Sequence, residues 1–228
     1  MKIAVLSDIH SNVFALEAVI ADAKKHSVDL MVNLGDILYG PIAPKATFDL
    51  LMQHEIVTIC GNQDRQIFEA TKAEIDSNST MKFIIDELGA EPINWMKSLP
   101  FDVQLNDDVY LCHGTPENDL VYLLENVEFG YACLRSDSEI ITLLNGQGSK
   151  LICCGHTHTP RAVTLTTGQI IVNPGFNAMA SYSIVEKTGD NWSVLHIKVP
   201  YDVALAVKEC EKRDRMDWVH FLTTGRKV

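Results

Sequence analysis

The sequence predicts an α/β fold in which two sheets pack together with helices outside. Three observations carry this. Over the first two-thirds, short apolar runs alternate with segments of helical period. Those runs are unbroken, as in strands buried on both faces. In the last third, paired runs flank turn residues, as in antiparallel hairpins.

Taken in order, residues 2–6 read as a strand, and Ser11 or Asn12 then caps a helix with Val13, Leu16, Val19, Ile20 and Ala23 on one face. Residues 29–34 form a second run. Pro41 and Pro44 break the chain before a helix near 45–54, and residues 56–60 form a third strand. Residues 64–98 read as helical in two or three pieces, parted near 76–79 and 91–92. Runs at 101–105 and 109–112 flank Asn106-Asp107-Asp108, a hairpin signal. Helical pattern returns at 118–126 and 136–145, before an apolar run at 150–154. Hairpins follow, 161–165 with 169–172 and 181–186 with 192–199, and a terminal helix covers 202–213. There is no internal repeat or linker, so 1–228 is expected to be one domain, with 64–98 as a helical insertion or cap.

Composition narrows the function classes. With 46% hydrophobic and 21% charged residues the chain is not disordered. The net charge, 19 − 30 = −11, argues against coating extended nucleic acid through a basic surface. It leaves small phosphorylated substrates open, since a bound metal can neutralise them. No apolar run approaches the ~18 residues of a membrane span, so no membrane partner is expected. Residues 3–6 are too short for a signal sequence, and Asp8 interrupts them. The six cysteines form no C-x-x-C pair, and Cys60, Cys112, Cys153 and Cys154 lie within apolar runs, as small hydrophobes do. A reducing cytoplasm is the simplest compartment. The sequence does not reveal an oligomeric state.

Five apolar runs end in polar residues. The first leads to Asp8 and His10, the second through Gly35 to Asp36, and the third through Gly61 to Asn62. The run at 109–112 leads to His113, and that at 150–154 leads through Gly155 to His156 and His158. Ligands of open α/β sheets bind at the carboxyl ends of strands, so strands sharing a sheet would bring these side chains to one edge. D-x-H and H-x-H place two side chains on the same side of extended chain. The glycines suit tight turns close to a cofactor. Seven ligand-type side chains are too many for one open catalytic ion. They suit two ions about 3.5–4 Å apart sharing a carboxylate, with Mn, Fe, Zn, Co or Ni favoured over Ca or Mg by the imidazoles. A single Asp after a strand is ordinarily a cap, and a lone His ordinarily a satisfied polar residue. Here, however, four of the eight histidines fall in these slots; His26, His54, His196 and His220 are left as structural or surface residues.

Asp8-Ile9-His10, Gly35-Asp36, Gly61-Asn62-Gln63-Asp64, His113-Gly114 and Gly155-His156-Thr157-His158 together resemble the calcineurin-like metallophosphoesterases, the small bacterial branch above all. The resemblance implies a four-layer α-β-β-α sandwich of two mixed sheets with flanking helices. It implies one ion on Asp8, His10 and His158, another on Asn62, His113 and His156, with Asp36 bridging. A metal-bridging hydroxide would attack a phosphoester or phosphoanhydride. Asn62, Gln63, Asp64 and His156 would be the catalytic set, and Asn62, Arg65, Tyr39 and Phe176 the groups binding a small phosphorylated substrate. Alternatives within the resemblance are a phosphoprotein or nucleotide monoesterase, and a non-catalytic scaffold on the same fold.

Two positions depart from the family pattern. Many members carry His where this chain has Gln63, and that His is thought to protonate the leaving oxygen. Gln donates a hydrogen bond but no proton near neutral pH. General-acid help is worth about 10²–10⁴-fold, so phosphodiesters, nucleoside polyphosphates and activated monoesters are favoured over alkyl monoesters. Phe176 stands where the branch often has Ser; it either stacks on a base or aryl ring or packs in the core. Arg65 either clamps a phosphate or pairs with Asp64 or Glu69. Asn118 is a weaker candidate near the ligand loops.

Overall fold

The computed structural model describes residues 1–127 and 131–225. The chain begins β1 (Lys2–Leu6), α1 (Val13–Lys25), β2 (Leu30–Asn33), α2 (Pro44–Leu51) and β3 (Ile56–Thr58). Helices α3 (Asn62–Glu69), α4 (Lys72–Ser77), α5 (Ser79–Leu88) and α6 (Ala90–Ser98) follow. Next come β4 (Asp102–Asn106), β5 (Val109–Cys112), β6 (Glu125–Asn126), β7 (Cys133–Leu134), α7 (Asp137–Leu144) and β8 (Leu151–Cys153). The chain then runs through β9 (Arg161–Thr164), β10 (Ile170–Asn173), a 3-10 turn (Asn177–Met179), β11 (Ser181–Thr188), β12 (Asn191–Lys198), α8 (Val203–Glu211) and α9 (Met216–Thr224).

Two mixed five-stranded sheets result, ordered β12-β11-β1-β2-β3 and β4-β5-β8-β10-β9, with a small β6-β7 ladder apart. β1, β2 and β3 run parallel in the first sheet, and β5, β8 and β10 in the second; antiparallel strands close both edges of the second sheet and the β12 edge of the first, while β3 is a parallel edge. Period-2 alternation sorts the apolar strands between two cores. Ile3, Val5, Val109, Leu111, Leu151 and Cys153 meet between the sheets. Ala4 and Leu6 instead face α1 and α2 through Leu16, Val19 and Phe48. Tyr110, Cys112, Ile152 and Cys154 face α7 through Ile140 and Leu144. The runs read as unbroken because both faces of each sheet are covered, which is the four-layer sandwich expected.

The local signals hold at most boundaries. Asn12 Oδ1 accepts from Ala15 N–H at 3.2 Å and starts α1. The 62–98 segment forms four helices, whose breaks fall at 70–71, Asn78 and Gly89 rather than near 91–92. Asn78 Oδ1 caps α5 through Met81 N–H at 3.0 Å, and Gly89 adopts φ 68°. Ile67, Met81, Ile84, Leu88 and Met96 bury this segment against the α1 side of the first sheet.

Two readings are corrected. Residues 118–126 are not helical, because their backbone groups are claimed elsewhere. The Asn118 carbonyl accepts from Thr115 N–H at 2.9 Å, that of Tyr122 from Arg135 Nε at 3.1 Å, and that of Leu124 from Arg135 N–H at 2.8 Å. The helical signal came from Leu123 and Leu124, which pack on the second sheet. Past 213 the chain turns and forms α9, whose Trp218 and Val219 pack with Ile42, Ala206 and Cys210. All six cysteines are free. Among the described residues no helix is long and apolar enough to cross a membrane.

The buried face of α7 gives a stability test. Ile140 is fully buried, whereas Ile141 is 37% exposed. Ile140→Ala is expected to lose about 2–5 kcal/mol and Ile141→Ala well under half of that, measured by denaturant unfolding.

Candidate metal centre

The candidate ligands follow parallel strands of both sheets: Asp8, Asp36 and Asn62 follow β1, β2 and β3, while His113 and His156 follow β5 and β8. The condition that all five strands share one sheet is not met. The sheets instead meet at this edge, where His113 Nδ1 donates to the Leu34 carbonyl at 2.7 Å and His156 N–H donates to Asp8 Oδ2 at 3.1 Å.

The backbone here is unusual. Asp8 (φ 56°), His10 (48°), Asp36 (56°), His156 (71°) and His158 (59°) all sit in the left-handed region. For an L residue this costs roughly 1–2 kcal/mol, and such strain gathers at functional sites. Neighbouring backbone holds it: Asp8 N–H donates to the Gly35 carbonyl at 2.9 Å, and His10 N–H to the Asp36 carbonyl at 3.0 Å. Gly35 and Gly61 pass so closely that a Cβ on Gly61 would overlap the backbone and carboxylate of Asp36. Asp64, at the third position of α3, accepts from Gly61 N–H at 3.0 Å, Asp36 N–H at 2.8 Å, Ile37 N–H at 2.8 Å and Leu38 N–H at 3.4 Å. It thus ties the Asp36 turn to the start of α3. Asn173 does the same for the His156 loop, donating to the Gly155 carbonyl at 2.6 Å and Thr157 Oγ1 at 3.0 Å.

Two clusters of ligand atoms form. Asp8, His10 and His158 place one donor atom each within 4.8 Å of one another, as do Asp36, His113 and His156. In the first, His10 Nε2 lies 3.2 Å from His158 Nε2, and His158 Nε2 lies 3.3 Å from Asp8 Oδ1. In the second, His113 Nε2 lies 3.0 Å from Asn62 Oδ1 and 3.4 Å from Asp36 Oδ2. Donors about 2.1 Å from a shared ion, at right to tetrahedral angles, lie about 3.0–3.4 Å apart. The His10–Asp8 gap, 3.9 Å, is wider. Asp8 Oδ1 is buried without a hydrogen-bond donor, an acceptor lacking its partner. His10 Nδ1 donates to the Tyr39 carbonyl at 2.9 Å, as His113 Nδ1 does to Leu34, which turns each Nε2 toward the cluster. These residues fit divalent ions.

Electrostatics agree. Burial pushes the Asp8 carboxyl up, but His158, His113 and His10 outweigh it and hold it below the usual range. Burial likewise opposes ionisation of Asp36, and His113 and His10 overcome it. Burial, then His158, lowers the His10 pKa, while burial, then His113, lowers that of His156. Burial and the charge of Asp36 raise Asp64 to about 7.

The remaining sequence candidates divide. Gln63 and Tyr39 line a pocket beside His10 and His158, and Phe176 stacks on His158 with centroids 4.2 Å apart. Arg65 faces elsewhere: its Nε and one terminal nitrogen meet Asp119 at 2.9 and 2.8 Å, and the other meets Glu69 at 3.2 Å. Asn118 shapes its own turn, its Oδ1 accepting from Leu120 N–H at 2.8 Å. Sequence reasoning missed Asp119, which lies 54 positions from Arg65. It also missed Tyr122, packed on His156 at 4.5 Å, and the α9 residues Trp218 and Phe221 that complete the pocket. The Trp218, Phe221 and Leu222 spacing was the available helical signal.

Known proteins share this arrangement of the chain. A metallophosphoesterase of Sphaerobacter thermophilus superposes with a TM-score of 0.80 at 24% identity, covering 99% of this chain and 100% of its own. A hypothetical protein of Pyrococcus horikoshii superposes with a TM-score of 0.81 at 17% identity, over 100% and 99%. At these identities the likeness concerns the fold. An uncharacterised protein of Methanocaldococcus jannaschii is 24% identical over 95% of both chains. The model of the calcineurin-like phosphoesterase superfamily domain matches residues 1–188, which hold every candidate ligand, and the chain belongs to that superfamily.

Proposed function

We propose that the chain is a phosphoesterase depending on two divalent ions. Asp8, His10 and His158 hold one, Asn62, His113 and His156 the other, and Asp36 serves both. The observation that carries this reading is the pair of adjoining ligand clusters with Asp8 Oδ1 buried and unpartnered between imidazoles. Bound ions of this kind supply a hydroxide nucleophile at neutral pH and neutralise phosphoryl charge.

The chain's own groups do the rest. Gln63 N–H donates to Asp36 Oδ1 at 2.8 Å and orients that carboxylate, while the Gln63 side-chain oxygen is left without a partner. Its side chain lines the pocket, and in this reading its NH2 group offers a leaving oxygen a hydrogen bond where an imidazole would offer a proton. Leaving groups that depart without protonation suit this site best: phosphodiesters, nucleoside polyphosphates and activated monoesters. Tyr39 and Phe176 are the substrate-facing groups in this reading. Arg65 is held by two carboxylates, and a phosphate would have to displace them. Asp64 acts through backbone, as a positioning residue for Asp36. The reading places the work in one domain, 1–228, with the 64–98 helices as its cap, in a cytoplasmic protein.

Stripping the protein with a chelator should abolish hydrolysis of bis(p-nitrophenyl) phosphate, and readdition of manganese should restore it. Asp36→Asn should cut kcat/KM at least about 100-fold; activity near wild type would remove the shared role, and failure of the unmutated chain to take up metal would leave a scaffold. Gln63→His should raise turnover of an alkyl monoester, by up to about 10²-fold, with little gain on the aryl diester. No gain on the alkyl ester would sink the leaving-group argument. Asp64→Ala strands four backbone N–H groups and should lose about 2–4 kcal/mol in thermal or denaturant unfolding; unchanged stability would refute its holding role.

A further inference from the structure

The pocket beside His10 and His158 has about 330 Å³ of space and is walled mainly by rings. Phe176 forms one side, stacked flat on His158. Trp218 and Phe221 of α9 form another: Phe221 lies 5.1 Å from Phe176, and Trp218 lies 6.1 Å from His10, centroid to centroid. Tyr39, Gln63 and Asp217 add polar groups to the lining. The α9 wall comes from beyond residue 188, where the match to the family model stops.

That wall is fixed in place. Leu222 is buried against Ile42, Ala206 and Cys210, and Val219 packs beside them. Before α9, Arg215 hydrogen-bonds to Thr80 and pairs with Asp217, while Arg213 lies 4.0 Å over the Phe83 ring. The slot is thus braced by both α8 and α5.

We infer that this slot takes an aromatic ring, aryl or nucleobase, carried by the phosphoester whose phosphorus lies over the metal clusters. The inference rests on the phosphoesterase reading for the place of the phosphate, and on the slot itself for the ring. Flat rings favour offset or edge contacts with Phe, Tyr and Trp at these centroid separations, and base–aromatic stacking is tolerant of which base is present. Ligand sites span about 300–1,000 Å³, so the volume here suits one ring system. Trp218 and Phe221 become specificity-determining residues, selecting the organic group and leaving the reacting atoms to the strand ends.

Calorimetric binding of non-hydrolysable phosphonates to the manganese-loaded full chain tests this without turnover in the readout. Phenylphosphonate should bind about tenfold or more tightly than methylphosphonate, and the phosphonate analogue of adenosine 5′-monophosphate should exceed that of ribose 5-phosphate if the ring is a nucleobase. Preference in the phenyl pair alone assigns the slot to aryl esters. Trp218→Ala should bring the phenyl-to-methyl ratio near one, and Trp218→Phe should retain most of it. Equal affinities in wild type, or a Trp218→Ala loss shared equally by both ligands, would overturn the slot. Hydrolysis of bis(p-nitrophenyl) phosphate without ring preference removes the slot and keeps the phosphoesterase reading. Ring preference without hydrolysis does the reverse.

Discussion

The Asp36 turn is the contact on which the site depends. Asp64 reaches from the first turn of α3 and accepts N–H groups from residues 36–38 and from Gly61. Without it, the left-handed Asp36 would have no reason to stay where Gly61 leaves room for it. Asp36 in turn accepts from Gln63 N–H and meets His113, joining β2, α3 and β5. One buried carboxylate thereby fixes the geometry of another that belongs to the His113–His156 cluster. The glycines follow from this closeness, since two backbones and a carboxylate cross in the space one Cβ would fill.

Charge explains why such an arrangement is tolerated. Asp8, Asp36 and Asp64 are buried within one small region, and desolvated carboxylates are costly unless paired. In the protein alone, imidazoles and backbone N–H groups are the partners, and His113 is raised to about 10 by Asp36 despite burial. That pairing uses a proton on a nitrogen aimed at the cluster, whereas Nδ1 is already committed to Leu34. A cation can take the proton's place and leave the Nδ1 bond to Leu34 intact. The region is therefore organised for positive charge from outside the chain, as a bound cation would supply it.

Much of this was legible in the sequence, for physical reasons. Strands covered on both faces must be apolar throughout, so β1, β5 and β8 stand out, and the polar residues ending them can only lie at a sheet edge. Period-2 alternation then sorts Val109 and Leu111 inward from Tyr110 and Cys112. What failed was whatever depended on distant partners. Leu123 and Leu124 look helical, but Arg135 takes the carbonyls a helix would use. Arg65 could be read as a clamp or as an ion-pair partner, and while the pair with Glu69 was legible, the pair with Asp119 was not, because Asp119 belongs to another loop. The left-handed backbone of Asp8, His10 and His158 carries no sequence mark, since the residues there are chosen for chemistry and the strain is borne by neighbours.

The same division separates chemistry from shape along the chain. Groups able to bind cations arrive on strand ends, whose positions are fixed by ladders and by two cores. A shift there would move several of them together. The walls around them come from helices, loops and the chain's last segment, where replacing one ring alters the cavity and leaves the ladders intact. Asn173 and Phe176 show the boundary within four residues: the first anchors the His156 loop by its amide, and the second lies against His158 and faces the pocket. A scaffold built this way can change the organic group it admits while its ligand set stays whole, because the two are held by different contacts.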